Sequence, residues 1–156
     1  MKFVIDENLS KALAKALAAI FEADHEIIHI RDKLGPATPD LAWMPAFGRD
    51  GSWIVISGDR RIRRNQAEHA AFQQSRLIGF FLCRQSFEMP VRKQLIRLLT
   101  IWPEIEIQAR LVQPGAMFEI PEKSPRFRAL RIVTDTGAGD GNRTHDIQLG
   151  KLTFYL

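Results

Sequence analysis

Lys2-Phe3-Val4-Ile5-Asp6-Glu7-Asn8, followed by Leu9, Leu13, Ala16, Leu17, Ile20 and Phe21 at helical spacing, is the stretch on which the fold turns. Four residues with an apolar centre make a short buried strand, the acids end it, and the period then changes from 2 to 3.6. Either Asn8 or Ser10 can cap the helix that follows, and Asn8 suits a cap better than a chemical role. The unit is strand, acidic turn, helix.

The same unit repeats outward along the chain. His25 to Ile30 reads as a second strand, and Asp32 to Pro39 as a loop ending in a helix start, with Thr38 as cap, Pro39 in the first turn and Asp40 just inside the helix. That helix runs to about Phe47 and stops at Gly48. Trp53-Ile54-Val55-Ile56 is a third buried strand, ended by Ser57-Gly58-Asp59. A polar helix follows from about Gln66 to Ser75, then a fourth strand from Leu77 to Leu82. Pro90 opens a further helix with Val91, Leu95, Leu98, Leu99 and Trp102 on its apolar face, and Ala116 to Ile120 reads as a last edge strand. Strands alternating with helices predict an α/β fold: a three-layer sandwich with a mostly parallel central sheet. We expect one domain over residues 1–132 and a poorly structured tail over 133–156, where Gly and Asp are dense and neither period is sustained.

Composition bounds the function. With 156 residues, 46% hydrophobic and 26% charged, the chain matches one ordinary globular domain, and its net charge of +4 leans towards a polyanionic partner. The single cysteine, Cys83, excludes an intrachain disulfide and a Cys-rich zinc site, and reads as a packing residue. No signal peptide and no membrane-spanning run is evident, so the expected location is the cytoplasm.

In a parallel α/β sheet, ligands bind at the carboxyl ends of the strands. Asp6 and Asp59 stand at such ends, and Asp40 opens a helix that can hang over the same edge, closing a triangle of carboxylates. Three converging acids repel one another unless a divalent cation lies between them, and Mg²⁺ or Mn²⁺ prefers oxygen ligands of this kind. Arg60, Arg61, Arg63 and Arg64 follow directly, and guanidinium groups grip phosphates in bidentate fashion; the bland reading is a solvated helix face.

Asp6-Glu7-Asn8-Leu9, Thr38-Pro39-Asp40 and Ser57-Gly58-Asp59-Arg60-Arg61-Ile62 together resemble the three acidic motifs of the compact PIN-like domains, which are similar to the VapC-type toxins of bacterial toxin–antitoxin pairs. The resemblance covers residues 1–82 and continues more faintly to about Arg131. It implies a metal-dependent endoribonuclease with Asp6, Asp40 and Asp59 as metal ligands and Ser57 supporting them. It also implies RNA as substrate, a cognate antitoxin as partner, and a second copy of the chain as a further one. The family often has a fourth acid soon after the third, where arginines stand here; Glu68 or Glu7 are the substitutes, and Asp50 reads as a solvated turn acid. A binding module without turnover is the rival reading. A phosphotransferase of the aspartyl-nucleophile kind ranks last, because the second Asp it needs is Asn8. His25, His29 and His69 read as packing or surface residues and His145 falls in the tail. Trp43, Trp53 and Trp102 read as core, Trp43 being the least secure because Asp40 three residues before it could set it at the acidic edge, and Arg126, Arg128 and Arg131 form a basic strip.

Overall fold

The structure, a computed structural model, describes residues 1–35 and 38–132. The tail expected over 133–156, with His145, lies outside the described residues.

Six strands form one sheet in the order β2-β1-β3-β4-β5-β6: β1 (Lys2–Ile5), β2 (Glu26–His29), β3 (Trp53–Ser57), β4 (Ile78–Leu82), β5 (Met117–Ile120) and β6 (Arg128–Ala129). All adjacent pairs are parallel except β5 with β6. The expected edge strand is therefore an inner one, since β6 pairs against its outer side. Ile5 lies beside Ile56, so Asp6, just past the end of β1, and Ser57, the last residue of β3, come side by side.

Strand alternation divides the core into two layers. Phe3, Ile5, Ile54, Ile56, Phe80 and Leu82 face α1 (Lys11–Ile20) and α6 (Val91–Leu111), meeting Leu13, Leu17, Leu98, Trp102 and Ile105. Val4, Val55 and Phe81 face the other way, against Trp43, Met44 and Phe47 of α3 (Asp40–Arg49) and Phe72 of α4 (Gln66–Gln74). The chain is thus a three-layer α/β sandwich with a mostly parallel sheet. Burying each such large apolar side chain is worth roughly 1.5–3 kcal/mol, so both layers are needed to hold the strand ends in register.

Several local expectations are corrected. Ser10, not Asn8, caps α1, its Oγ accepting from the Leu13 backbone N–H. The buried stripe of α1 is Leu13, Ala14 and Leu17, while Ile20 is exposed. Residues expected to be loop form a short helix α2 (Ile30–Leu34), opened by the His29 side chain. Pro39 stands at the N-cap of α3, and the Thr38 hydroxyl instead donates back to the Leu34 carbonyl. A one-turn helix α5 (Arg84–Phe87) follows β4, and Val91 of α6 is exposed, because the buried face of α6 runs through Gln94, Leu98, Ile101, Trp102 and Ile105.

Candidate active site

Parallel pairing brings the ends of β1 and β3 together, and the hydrogen bonds there knit Asp6, Asn8 and Ser57 into one unit. The Ser57 hydroxyl donates to Asp6 Oδ2 at 2.8 Å and accepts from Asn8 Nδ2 at 3.2 Å and from the Asp59 backbone N–H at 3.0 Å, which uses its full capacity. Asn8 Nδ2 also donates to Asp6 Oδ2, its Oδ1 accepts from the Gly58 N–H, and the Glu7 N–H donates to Asp6 Oδ1. Asn8 is therefore a brace between the two strand ends. That role needs β1 beside β3, 49 residues apart in sequence for the Asn8–Ser57 pair, which local pattern does not reveal.

Asp6 is 8% exposed, and among the described residues no basic side chain pairs with it. Burial pushes its carboxyl above the usual carboxylate range; the bonds from Ser57 and Glu7 pull it back in part, and the charges of Asp40 and Asp59 push it up further. Asp40 and Asp59 line one narrow cleft with Asp6, its other walls being the apolar Trp43, Met44, Val55, Ile62, Phe72 and Phe81, with a free volume of about 10 Å³, the scale of one water molecule or one small ion. Trp43 borders the acidic edge, its Nε1–H donating to Asp40 Oδ1 at 2.8 Å.

The carboxylates share this cleft but do not close on it. Among the described residues, no three His, Cys, Asp or Glu groups stand within grasp of a common ion. The reason is visible in their partners: Asp40 is turned to Trp43, and Asp59 is clamped by Arg61. Three like charges without a cation between them turn to whatever donors are near. The donor set nonetheless fits a hard divalent cation, being oxygen only, around a buried carboxylate that has no positive partner of its own.

The two candidates for a fourth acid separate clearly. Glu7 reaches out to Arg31 at 3.5 Å. Glu68, in the first turn of α4, has its carboxyl raised by burial and then by the charges of Asp40 and Asp59, so it belongs to the same acidic field. Asp50 pairs with Lys33 and Trp53 instead.

Arg60, Arg61 and Arg63 lie on a 3₁₀ turn (Arg60–Arg63) and Arg64 ends it, so none of the four lies on an α-helix face. Arg60, Arg61, Arg63 and Arg64 line a cleft of about 560 Å³ that also takes in Asn8, Asp59 and Arg84. Their charges are not equally available. Arg60 meets Glu119 at 2.8 Å, Arg61 holds Asp59, Arg63 Nε donates to the Arg131 carbonyl, and Arg84 pairs with Glu88 at 2.9 Å. Arg84 and Glu119 were not foreseen. Arg84 follows the carboxyl end of β4, so the rule that singled out Asp59 applies to it too. Glu119 is a lone acid within a buried strand, which needs a partner, and it finds Arg60 and Arg128.

The remaining residues behave as packing groups. His25 lies among Phe3, Phe21 and Trp102. His29 contacts the Leu9 carbonyl through Nε2, and its Nδ1 accepts from the Arg31 N–H, which assigns the proton to Nε2. His69 is buried, with its imidazole held below the usual range by that burial. Cys83 is buried with its Sγ against the Ser86 hydroxyl.

A family model described as "PIN like domain" matches residues 1–84. That span runs from β1 through β4 and holds all the acids named above except Glu119, with Arg84 at its end. No curated protein and no solved structure matches the chain.

Proposed function

Because the chain belongs to the PIN-like domain family, and so carries a nuclease-type fold, we propose that it is a Mg²⁺- or Mn²⁺-dependent endoribonuclease with Asp6, Asp40 and Asp59 as the metal ligands. One observation carries the reading: a buried carboxylate, Asp6, without a basic partner, facing two further acids across an ion-sized cleft beside a groove lined by arginines. A bound divalent ion would supply charge stabilisation to the phosphodiester oxygens and acidify the attacking water.

The chain's own groups do the rest. Ser57 and Asn8 hold the Asp6 carboxylate in one orientation, and Ser57 also fixes the Asp59 backbone. Arg64 offers its guanidinium group to an RNA backbone; Arg84, held by Glu88 at 2.9 Å, and Arg60, matched by Glu119, serve more as walls of the groove. Glu68 completes the acidic set. The same basic groove would also suit an acidic segment of a cognate antitoxin, the partner we propose for a toxin of a two-component pair. No described helix is long and apolar enough to cross a membrane.

The test is cleavage of single-stranded RNA with Mn²⁺ or EDTA, by the native chain and by Asp59→Asn. Mn²⁺-dependent cleavage lost in the variant is the expected result; RNA binding without cleavage in either would make the chain a binding module, a reading that Arg61 on Asp59 favours. Two further outcomes are expected. Glu68→Gln lowers the cleavage rate by about 10²-fold and Glu7→Gln leaves it within about two-fold, since only Glu68 shares the field of Asp40 and Asp59. Arg64→Ala weakens RNA binding by about five- to ten-fold at low salt and lowers the salt slope by ~0.7, the share of one phosphate contact on a single strand, read by fluorescence anisotropy in EDTA.

A further inference from the structure

Among the described residues, Arg61 is the one cation that pairs with Asp6, Asp40 or Asp59, and it grips Asp59 through both oxygens. Its Nε lies 2.9 Å from Asp59 Oδ1 and 3.0 Å from Oδ2, its Nη2 lies 2.7 Å from Oδ2, and its backbone N–H donates to Oδ1 at 2.9 Å. Both Asp59 oxygens are engaged, so an ion binding this carboxylate must compete with Arg61 for it. The two sides of the pair differ in exposure: the Arg61 side chain is 88% exposed and the Asp59 side chain 19%. A clamp made by so exposed an arginine is weak and exchanges readily, whereas the acid it covers is held in place.

We propose that Arg61 is a built-in counter-ion that competes with the divalent cation for Asp59 and is drawn off by the phosphate of an incoming RNA strand, so that cation and RNA backbone bind cooperatively. This rests on the reading of Asp6, Asp40 and Asp59 as metal ligands. The electrostatics fit it. The guanidinium is stabilised first by Asp59 and then by Asp40 and Glu68, while the fields acting on Asp6 come from acids alone. Arg61 thus stands in for a cation at the outer part of the acidic set and leaves its buried member unserved. It also lines the arginine groove, so the position it would take on release is already flanked by Arg63, Arg64 and Arg84. Displacement of Arg61 by a phosphate exposes Asp59 to the ion, and displacement by the ion presents Arg61 to the phosphate. The coupling is reciprocal.

The experiment measures Mn²⁺ affinity by electron paramagnetic resonance of the free ion, without RNA, for native protein, Arg61→Ala, Arg61→Lys and Asp6→Asn. With Arg61 so exposed, its replacement leaves the fold intact, checked by circular dichroism. The expected result is Mn²⁺ binding about five-fold tighter in Arg61→Ala than in native protein, as the loss of one exposed ion pair implies. A smaller gain is expected in Arg61→Lys, which keeps the charge and loses the planar fork. Sulfate, used as a phosphate mimic, should tighten Mn²⁺ binding to native protein and leave Arg61→Ala unchanged. Equal or weaker binding by Arg61→Ala, or sulfate acting equally on both, overturns the counter-ion role while leaving the metal site standing. Failure of native protein and Arg61→Ala alike to bind Mn²⁺, or binding undiminished in Asp6→Asn, removes the metal site itself and the proposal with it.

Discussion

Asp6→Asn is expected to abolish Mn²⁺-dependent RNA cleavage, by about 10³-fold or more, and to remove the stabilisation that Mn²⁺ confers on the fold. Native protein with free Mn²⁺ at about a hundred times its dissociation constant gains ~2.7 kcal/mol, which for a chain of this size raises Tm by about 5–10 °C. The variant should gain nothing. Its metal-free stability should change little, because two effects oppose each other. The substitution relieves the cost of an ionised carboxylate that is 8% exposed, but three donors converge on that carboxylate, from Glu7, Asn8 and Ser57. An amide N–H₂ in their midst sets donor against donor. Differential scanning fluorimetry with Mn²⁺ and with EDTA reads both; a full Mn²⁺-induced shift retained in the variant would contradict the assignment of Asp6.

The pH dependence follows in sign. The folded carboxyl of Asp6 is raised above its unfolded value, by burial first and by Asp40 and Asp59 in addition. Its ionisation therefore destabilises the metal-free fold: the penalty is absent below the usual aspartate range and grows as pH rises through the folded value. A proton competes with the cation for the same oxygens, so Mn²⁺ affinity should begin to fall on acidification at a higher pH than an ordinary aspartate would dictate.

Gly58→Ala is expected to cost about 2–3 kcal/mol and to lower Tm by about 5–10 °C. A β-carbon at this position would overlap Cδ1 and Cε1 of Phe87 and stand 2.8 Å from its Cγ. The Phe87 main chain is held by its N–H on the Cys83 carbonyl and by Gln94 Nε2 on its own carbonyl, so the ring can escape only by leaving its rotamer. Cleavage should fall as well, because the Gly58 N–H anchors Asn8, and Asn8 holds Asp6. Truncating the obstacle tests the cause: Gly58→Ala combined with Phe87→Ala should be less destabilised than the sum of the single variants, by about 1 kcal/mol or more in a double-mutant cycle. Strict additivity would locate the damage elsewhere.

The order of strands and helices and the identity of the acids at strand ends were legible in the residues, because both depend on short-range pattern. An apolar run ending in Asp6, another ending in Ser57-Gly58-Asp59, and helical spacing between them imply parallel strands whose carboxyl ends share an edge. Parallel crossover connections admit few other outcomes. What each side chain does at that edge was not legible. Asn8 is as good a cap as Ser10 by local rule, and only the Ser57 hydroxyl and Gly58 N–H, brought beside it by the β1–β3 pairing, make it a brace. The four clustered arginines are equivalent as sequence; Glu119, 59 residues beyond Arg60, neutralises one, and Asp59 engages another. Arg84 joins them only because β4 lies next to β3. Hydrogen bonds and ion pairs act over a few ångströms, so their partners are chosen by the sheet's long-range pairing rather than by neighbours along the chain. Sequence alone thus determined which residues stand at the strand ends, and tertiary structure decided which partner each of them meets there.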